Sequence, residues 1–288
     1  MEAIQIKSAT PDLLPALHQA FLQAFSDYEI TINLNFEQFK KRFLEKLQLN
    51  FEMSAIATKG HQVVGFIFTH VGSYEGILTA YNGGTGVVPE FRRRGLTSRM
   101  YEYLLPKFKK GNVEQCLLEA ITTNLKALHV YQKIGFQKTK LFRCYSFMPE
   151  KYRLLPDNLP EVLVFEQKEP DWELYKQFQD SQPSYLDQDA LLQKNLKNEA
   201  VIEAVNNGTT LGYAVFQKNN GRISQLAVHP EFRKMGIGSW LLTHVYRDSQ
   251  KKTLSILNID DDFQPMNAFF KATGFKNEMN QHEMQMQL

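Results

Sequence analysis

Val87-Val88-Pro89-Glu90-Phe91-Arg92-Arg93-Arg94-Gly95-Leu96 returns as Val228-His229-Pro230-Glu231-Phe232-Arg233-Lys234-Met235-Gly236-Ile237. Each copy ends a predicted strand and opens a predicted helix. A Gly-Phe pair follows in each half, Gly135-Phe136 and Gly274-Phe275, at 43 and 41 residues beyond Arg92 and Arg233. The repetition divides the chain into two related units, expected at 1–150 and 161–288. Pro149, Pro156 and Pro160 mark the linker between them.

Composition agrees. A chain of 288 residues is long for one core and sufficient for two. Hydrophobic residues make up 43% and charged residues 22%, the balance of a folded globular protein rather than a disordered one. A net charge of +2 excludes a global basic field, so no nucleic-acid partner is expected. Cys116 and Cys144 are too few for a disulfide framework, and Cys116 lies in an apolar run that implies a reduced, buried thiol. Lys7, Asp12 and His18 interrupt any signal-like stretch, and no run approaches the roughly twenty apolar residues of a membrane span. A cytoplasmic protein without a membrane partner is expected. The seven histidines have no zinc-like spacing, and Asp260-Asp261-Asp262 reads as a loop or cap, so no metal is expected.

Working outward from the repeat, the first half reads as a strand at Ala3–Lys7 and a helix after Pro11. A second helix has Phe36, Phe39, Phe43, Leu44 and Leu47 at helical spacing. Three strands follow, then a helix after Gly95, a strand at Cys116–Ile121 and a helix to Ile134. The second half repeats this order, with Asn206-Asn207-Gly208 and Asn219-Asn220-Gly221 as turns. Such an order implies an α/β or α+β mixed sheet with helices on both faces.

Between strand and helix, Arg-x-x-Gly-x-small places glycine where the backbone turns sharply and passes close to a ligand. The free amides and the dipole of the helix start then favour an anion. The second copy carries Arg233, Gly236 and Gly238; the first carries Arg92, Gly95 and Thr97, with threonine at the last small position.

This segment resembles the acyl-coenzyme A loop of the GCN5-related N-acetyltransferase (GNAT) family. Asn124, Ala127, Tyr131, Gly135 and Phe136 match every position of that family's second signature, Asn-x-x-Ala-x-x-x-Tyr-x-x-x-Gly-Phe. The resemblance covers both halves and implies two tandem GNAT-like domains, an acetyl-CoA cofactor and transfer to the primary amine of a small-molecule or peptide acceptor. It assigns carrier binding to Gly86, Val87, Val88, Arg92, Arg93, Arg94, Gly95, Leu96, Thr97 and Asn124 in the first half. In the second half it assigns Leu226, Ala227, Val228, Arg233, Lys234, Met235, Gly236, Ile237 and Gly238.

Direct attack on a thioester needs a neutral amine, yet a free lysine titrates near ~10.4. The departing thiol titrates near ~8.5, so a hydroxyl acid assists it. Tyr131 matches the family's acid, and Asn124 shares its helical face; a core aromatic is the alternative for Tyr131. The strand before the loop, Tyr81 to Thr85, has no carboxylate. Glu119 is the candidate base, against a structural carboxylate or a water relay. Asp27 and Tyr28 lie where relatives rim the acceptor pocket, and Asp27 either attracts a cationic amine or caps the turn. Arg93 either reaches phosphate or is solvated.

In the second half, Phe270 stands where the tyrosine would be, Phe263 and Met266 replace Asn124 and Ala127, and Asn258 replaces Glu119. The first half is therefore the catalytic candidate. The alternative to an enzyme is a coenzyme A-binding sensor or scaffold. Either a monomer or a homodimer is compatible, since two covalent units can replace a dimer.

Overall fold

The structure, a computed structural model, describes residues 3–27, 33–147, 159 and 161–288. Its compact units depart from the linear halves 1–150 and 161–288. One comprises Met1–Thr139 with His282–Leu288, the other Lys140–Gln281. The first unit thus takes in His282–Leu288 from the second half of the sequence, and the second unit takes in the residues from Lys140 onward of the first half.

In the first unit, β1 (Gln5–Ser8), β2 (Ala55–Lys59), β3 (Gln62–Tyr74) and β4 (Ile77–Val87) form an antiparallel run. β4 then pairs in parallel with β5 (Gln115–Ile121). The helices are α1 (Leu14–Ala24), α2 (Phe36–Lys40, continued by a π-helical turn at Lys41–Lys46), α3 (Leu96–Lys110) and α4 (Leu125–Ile134). Asn35 starts α2 through a capping box with Gln38. One face of the sheet presents Phe66 and Phe68 to Phe21, Phe39 and Phe43 of the first two helices, with ring centroids 4.4–6.1 Å apart. All five rings are buried, each burial stabilising by about 1.5–3 kcal/mol. On the other face, Met100, Leu104 and Phe108 of α3 meet Ala55, Ala57 and Ile67. Met284 and Met286 complete that core from the returning strand, whose Leu288 amide donates to the Glu114 carbonyl at 2.9 Å.

In the second unit, β6 (Gln137–Phe147) contributes residues from Lys140 onward and pairs antiparallel with β11 (Leu254–Asp260). β7 (Leu163–Glu166), β8 (Ala200–Asn206), β9 (Thr209–Phe216) and β10 (Arg222–Val228) form its antiparallel run, and β10 meets β11 in parallel. The helices are α5 (Trp172–Lys176), α6 (Asp189–Lys194), α7 (Ile237–Asp248) and α8 (Gln264–Ala272); β12 (Phe275–Gln287) is the strand whose end enters the first unit. Asn207 and Gly208 both have positive φ, 45° and 78°, as a type I′ hairpin requires.

Candidate active site

The first unit's site begins where β4 and β5 part. Their parallel register runs from Thr79 opposite Gln115 to Asn82 opposite Leu118. β4 continues against β3 as far as Val87, but with a bulge that leaves Gly83 unmatched between Asn82 and Gly84. Asn82 holds the bulge. Its Oδ1 accepts from the Gly84 amide at 3.0 Å and from the Thr85 hydroxyl at 3.1 Å, and its Nδ2 donates to the Tyr101 hydroxyl at 2.8 Å. A Cβ at Gly83 would lie 2.4 Å from Leu47 Cδ1, so a larger residue here would require the buried Leu47 side chain to shift. The edge of residues 83–87 that faced β5 is thereby released from pairing. Gly86, Val87 and Val88 follow, with the Val88 amide tied to the Val64 carbonyl at 3.0 Å.

The repeated loop follows a 3₁₀ turn at Pro89–Phe91. Gly95 is the N-cap of α3 at φ 67°, ψ 17°, and among the described residues no side chain caps the first turn. The leading amides, those of Leu96 and Thr97 among them, therefore have neither an intrahelical acceptor nor a capping side chain. A Cβ at Gly95 would meet open space, so its left-handed backbone, not crowding, demands glycine. The second loop has the same form: Lys234 and Gly236 at φ 62° and 88° match Arg93 and Gly95 at 61° and 67°.

The three arginines separate in role. Arg92 turns inward: its fork grips both oxygens of Asp27 at 2.6 and 2.7 Å, which holds the Asp27 carboxyl below the usual range. Asp27, expected either to attract a cationic amine or to cap the turn, pairs with Arg92, and Tyr28 lies outside the described residues. Arg94 lies over the Phe91 ring at 5.2 Å and donates to the Glu90 carbonyl. Arg93 is exposed and, among the described residues, makes no ion pair.

Two candidate chemical groups flank the split. Cys116, Leu118 and Ala120 of β5 face the core with α3 and α4, so alternation turns Glu119 to the opposite face. There Glu119 accepts a hydrogen bond from the Tyr81 hydroxyl of β4. On the helical side, Tyr131 of α4 is half-buried and meets Tyr101 edge-on at 6.4 Å and 89°. The Tyr101 hydroxyl is the one that Asn82 reaches, which connects Tyr131's neighbourhood to the bulge. Asn124 caps α4, accepting from the Ala127 amide at 3.1 Å. Tyr81, Asn82 and Tyr101 carry no sequence signal for this place: the β4–β5 register brings Tyr81 and Asn82 to the split, and α3 brings the Tyr101 hydroxyl to Asn82.

The second unit preserves the frame. The register of β10 with β11 runs through Arg222–Ser255 and Ile223–Ile256, and a bulge leaves Ser224 at the place of Gly83. A cavity of about 620 Å³ opens between them. Leu226, Ala227, Val228, Arg233, Lys234, Gly236, Ile237 and Gly238 all line it, whereas Met235 is 61% exposed and does not. The registers make Tyr213 and Gln225 the counterparts of Phe66 and Gly84, and both line the cavity. Phe270 is fully buried against Tyr145 and Phe275, away from the cavity lining. Asn258 turns its carboxamide to Gln281 and Cys144.

A family model described as the acetyltransferase (GNAT) family matches residues 14–136 and again 164–275. The chain belongs to this family, in tandem form. Among curated relatives, it is 29% identical over 105 residues to N-alpha-acetyltransferase 30 of Dictyostelium discoideum, covering 36% of this chain and 57% of that one. It is also 29% identical over 97 residues to the ribosomal protein bS18-alanine N-acetyltransferase of Escherichia coli K12, covering 34% and 60%. The matches thus span under two thirds of those relatives. A tandem GNAT protein from the clavulanic acid biosynthesis pathway shares the fold with a TM-score of 0.75 at 14% identity, over 99% of this chain and 98% of that chain. A GCN5-related N-acetyltransferase from Sphaerobacter thermophilus does so with 0.74 at 12% identity, over 99% and 95%. Among the described residues, no helix is long and apolar enough to cross a membrane, and no three His, Cys, Asp or Glu side chains gather as a metal site.

Proposed function

We propose that the first unit is an acetyl-CoA-dependent N-acetyltransferase acting on a primary amine. The observation that carries this reading is the split between β4 and β5. It has uncapped helix amides at its mouth, Tyr131 on one flank and Glu119 on the other. The residues fit an acyl carrier. The amides from Leu96 onward would hold its diphosphate, Arg93 stands exposed beside them, and the released edge of Gly86 and Val87 offers backbone groups to the pantetheine arm. Bound there, the carrier would supply an activated acetyl thioester.

The protein's part is to manage protons and position. Glu119, directly or through water, removes the proton that keeps an alkylamine from attacking at neutral pH. Tyr81 donates to that carboxylate and fixes its direction. Tyr131 delivers a proton to the departing sulfur. One curated relative is named an N-alpha-acetyltransferase and another a ribosomal protein bS18-alanine N-acetyltransferase, which supports an amine as the acceptor.

A second reading has its own observation. The second unit combines an open cavity and a matching loop with a buried Phe270 in place of the acid. That unit would bind the carrier without transferring from it, as a sensor or scaffold. A thiol-release assay with a panel of primary amines, run on wild type and Tyr131→Phe, separates the two. Release that depends on amine and on Tyr131 supports the transferase; coenzyme A binding without release supports the sensor.

A further inference from the structure

The first arginine of each loop is bound in the same manner. Arg92 donates from Nε to the Val87 carbonyl at 3.1 Å, from Nη2 to the Ala24 carbonyl at 2.9 Å, and from both Nη atoms to Asp27. Arg233 donates from Nε to the Val228 carbonyl at 3.0 Å, from Nη2 to the Phe178 carbonyl at 3.1 Å, and pairs with Asp180 at 2.6 Å. Each guanidinium therefore joins the end of a strand, the loop that opens a helix, and the segment just beyond an earlier helix, α1 or α5. Only the planar five-donor fork of arginine serves all three at once. The carboxylates are exposed, 54% for Asp27 and 38% for Asp180, and an exposed ion pair contributes little to stability. Stability alone is a weak reason to build the same clasp twice.

We propose that Arg92 and Asp27 form a latch that couples occupancy of the loop to order in the segment Phe25–Asp27, the start of the expected acceptor rim. The inference rests on the reading that the loop amides hold the acyl carrier. Anchoring residues 92–95 on a diphosphate fixes the guanidinium, and the guanidinium fixes the end of α1. Linkage then makes order at the rim favour the carrier by the same factor. Arg92 and Asp27 are positioning residues in this scheme.

The test uses the full chain with coenzyme A as probe, by calorimetry and amide hydrogen exchange. Without a latch, Asp27→Asn removes a negative charge near a polyanion's site and should strengthen binding or leave it unchanged. With the latch, it weakens coenzyme A about three- to tenfold. Coenzyme A should slow exchange at Phe25, Ser26 and Asp27 several-fold in wild type but not in Asp27→Asn. Adding Asp27→Asn to Arg92→Lys should cost nothing further, since the pair acts as one unit. The exposed Asp27 side chain leaves the core untouched, and a thermal melt checks folding. If wild type binds coenzyme A while Asp27→Asn binds as well or better, or exchange at 25–27 is indifferent to the probe, the latch is overturned and the transferase reading stands. If wild type does not bind coenzyme A, both fall together.

Discussion

Tyr81 donates its hydroxyl proton to Glu119 across two parallel strands whose pairing ends one residue later, at Asn82 and Leu118. The bond aims a carboxylate beside the split, on the face away from α3 and α4. Glu119→Gln should lower kcat/KM by about 10²-fold and remove the acid limb of its pH profile, as loss of a general base does. Tyr81→Phe should have a smaller effect on the same limb. An unchanged profile in Glu119→Gln would make the carboxylate structural and leave the proton to water.

Tyr131 is tested by its hydroxyl alone. Tyr131→Phe keeps the edge-on contact with Tyr101 and removes the proposed acid, so turnover should fall about 10²–10⁴-fold. Coenzyme A affinity by calorimetry should stay within about twofold. A matching loss of affinity would instead place Tyr131 in binding.

Gly95 separates backbone strain from charge. Gly95→Ala meets open space but must adopt φ 67°, at a cost of about 1–2 kcal/mol in denaturant unfolding. Gly95→Glu bears the same strain and sets a carboxylate before the uncapped amides, so coenzyme A binding should weaken well beyond the Ala variant. Equal affinity in the two variants would remove the phosphate from this helix start.

Burial raises the Cys116 thiol to about 12. In the native chain it should resist alkylation at pH 8 and react once unfolded. The sign of the linkage follows. Above about pH 8.5 the unfolded thiol loses its proton while the folded one keeps it, so this group erodes stability as pH rises toward 12. Urea midpoints at pH 8 and 10 for wild type and Cys116→Ala measure it; a wild-type midpoint that falls no more than the variant's would refute it.

The repeat carried the tandem arrangement and both glycine-led loops, because glycine in a left-handed turn leaves a local mark in sequence. The Asn124–Tyr131 signature carried α4 for the same reason. The Tyr81–Glu119 bond was hidden, since it depends on a parallel register set by strands 38 residues apart. The clasp of Arg92 was hidden too: a triple-arginine turn reads as solvent-facing until Asp27, 65 residues earlier, is seen to meet it. Strand exchange between units is hidden most deeply, because both continuous and exchanged pairings satisfy the same alternation of side chains.

That exchange governs the order of assembly. Met284, wholly buried, closes the interior of a unit whose other residues end at Thr139. During synthesis those first 139 residues emerge early and must wait, with one edge and part of an apolar interior uncovered, until residues 282–288 leave the ribosome. The amino-terminal unit is thus the first to be made and cannot be the first to be finished.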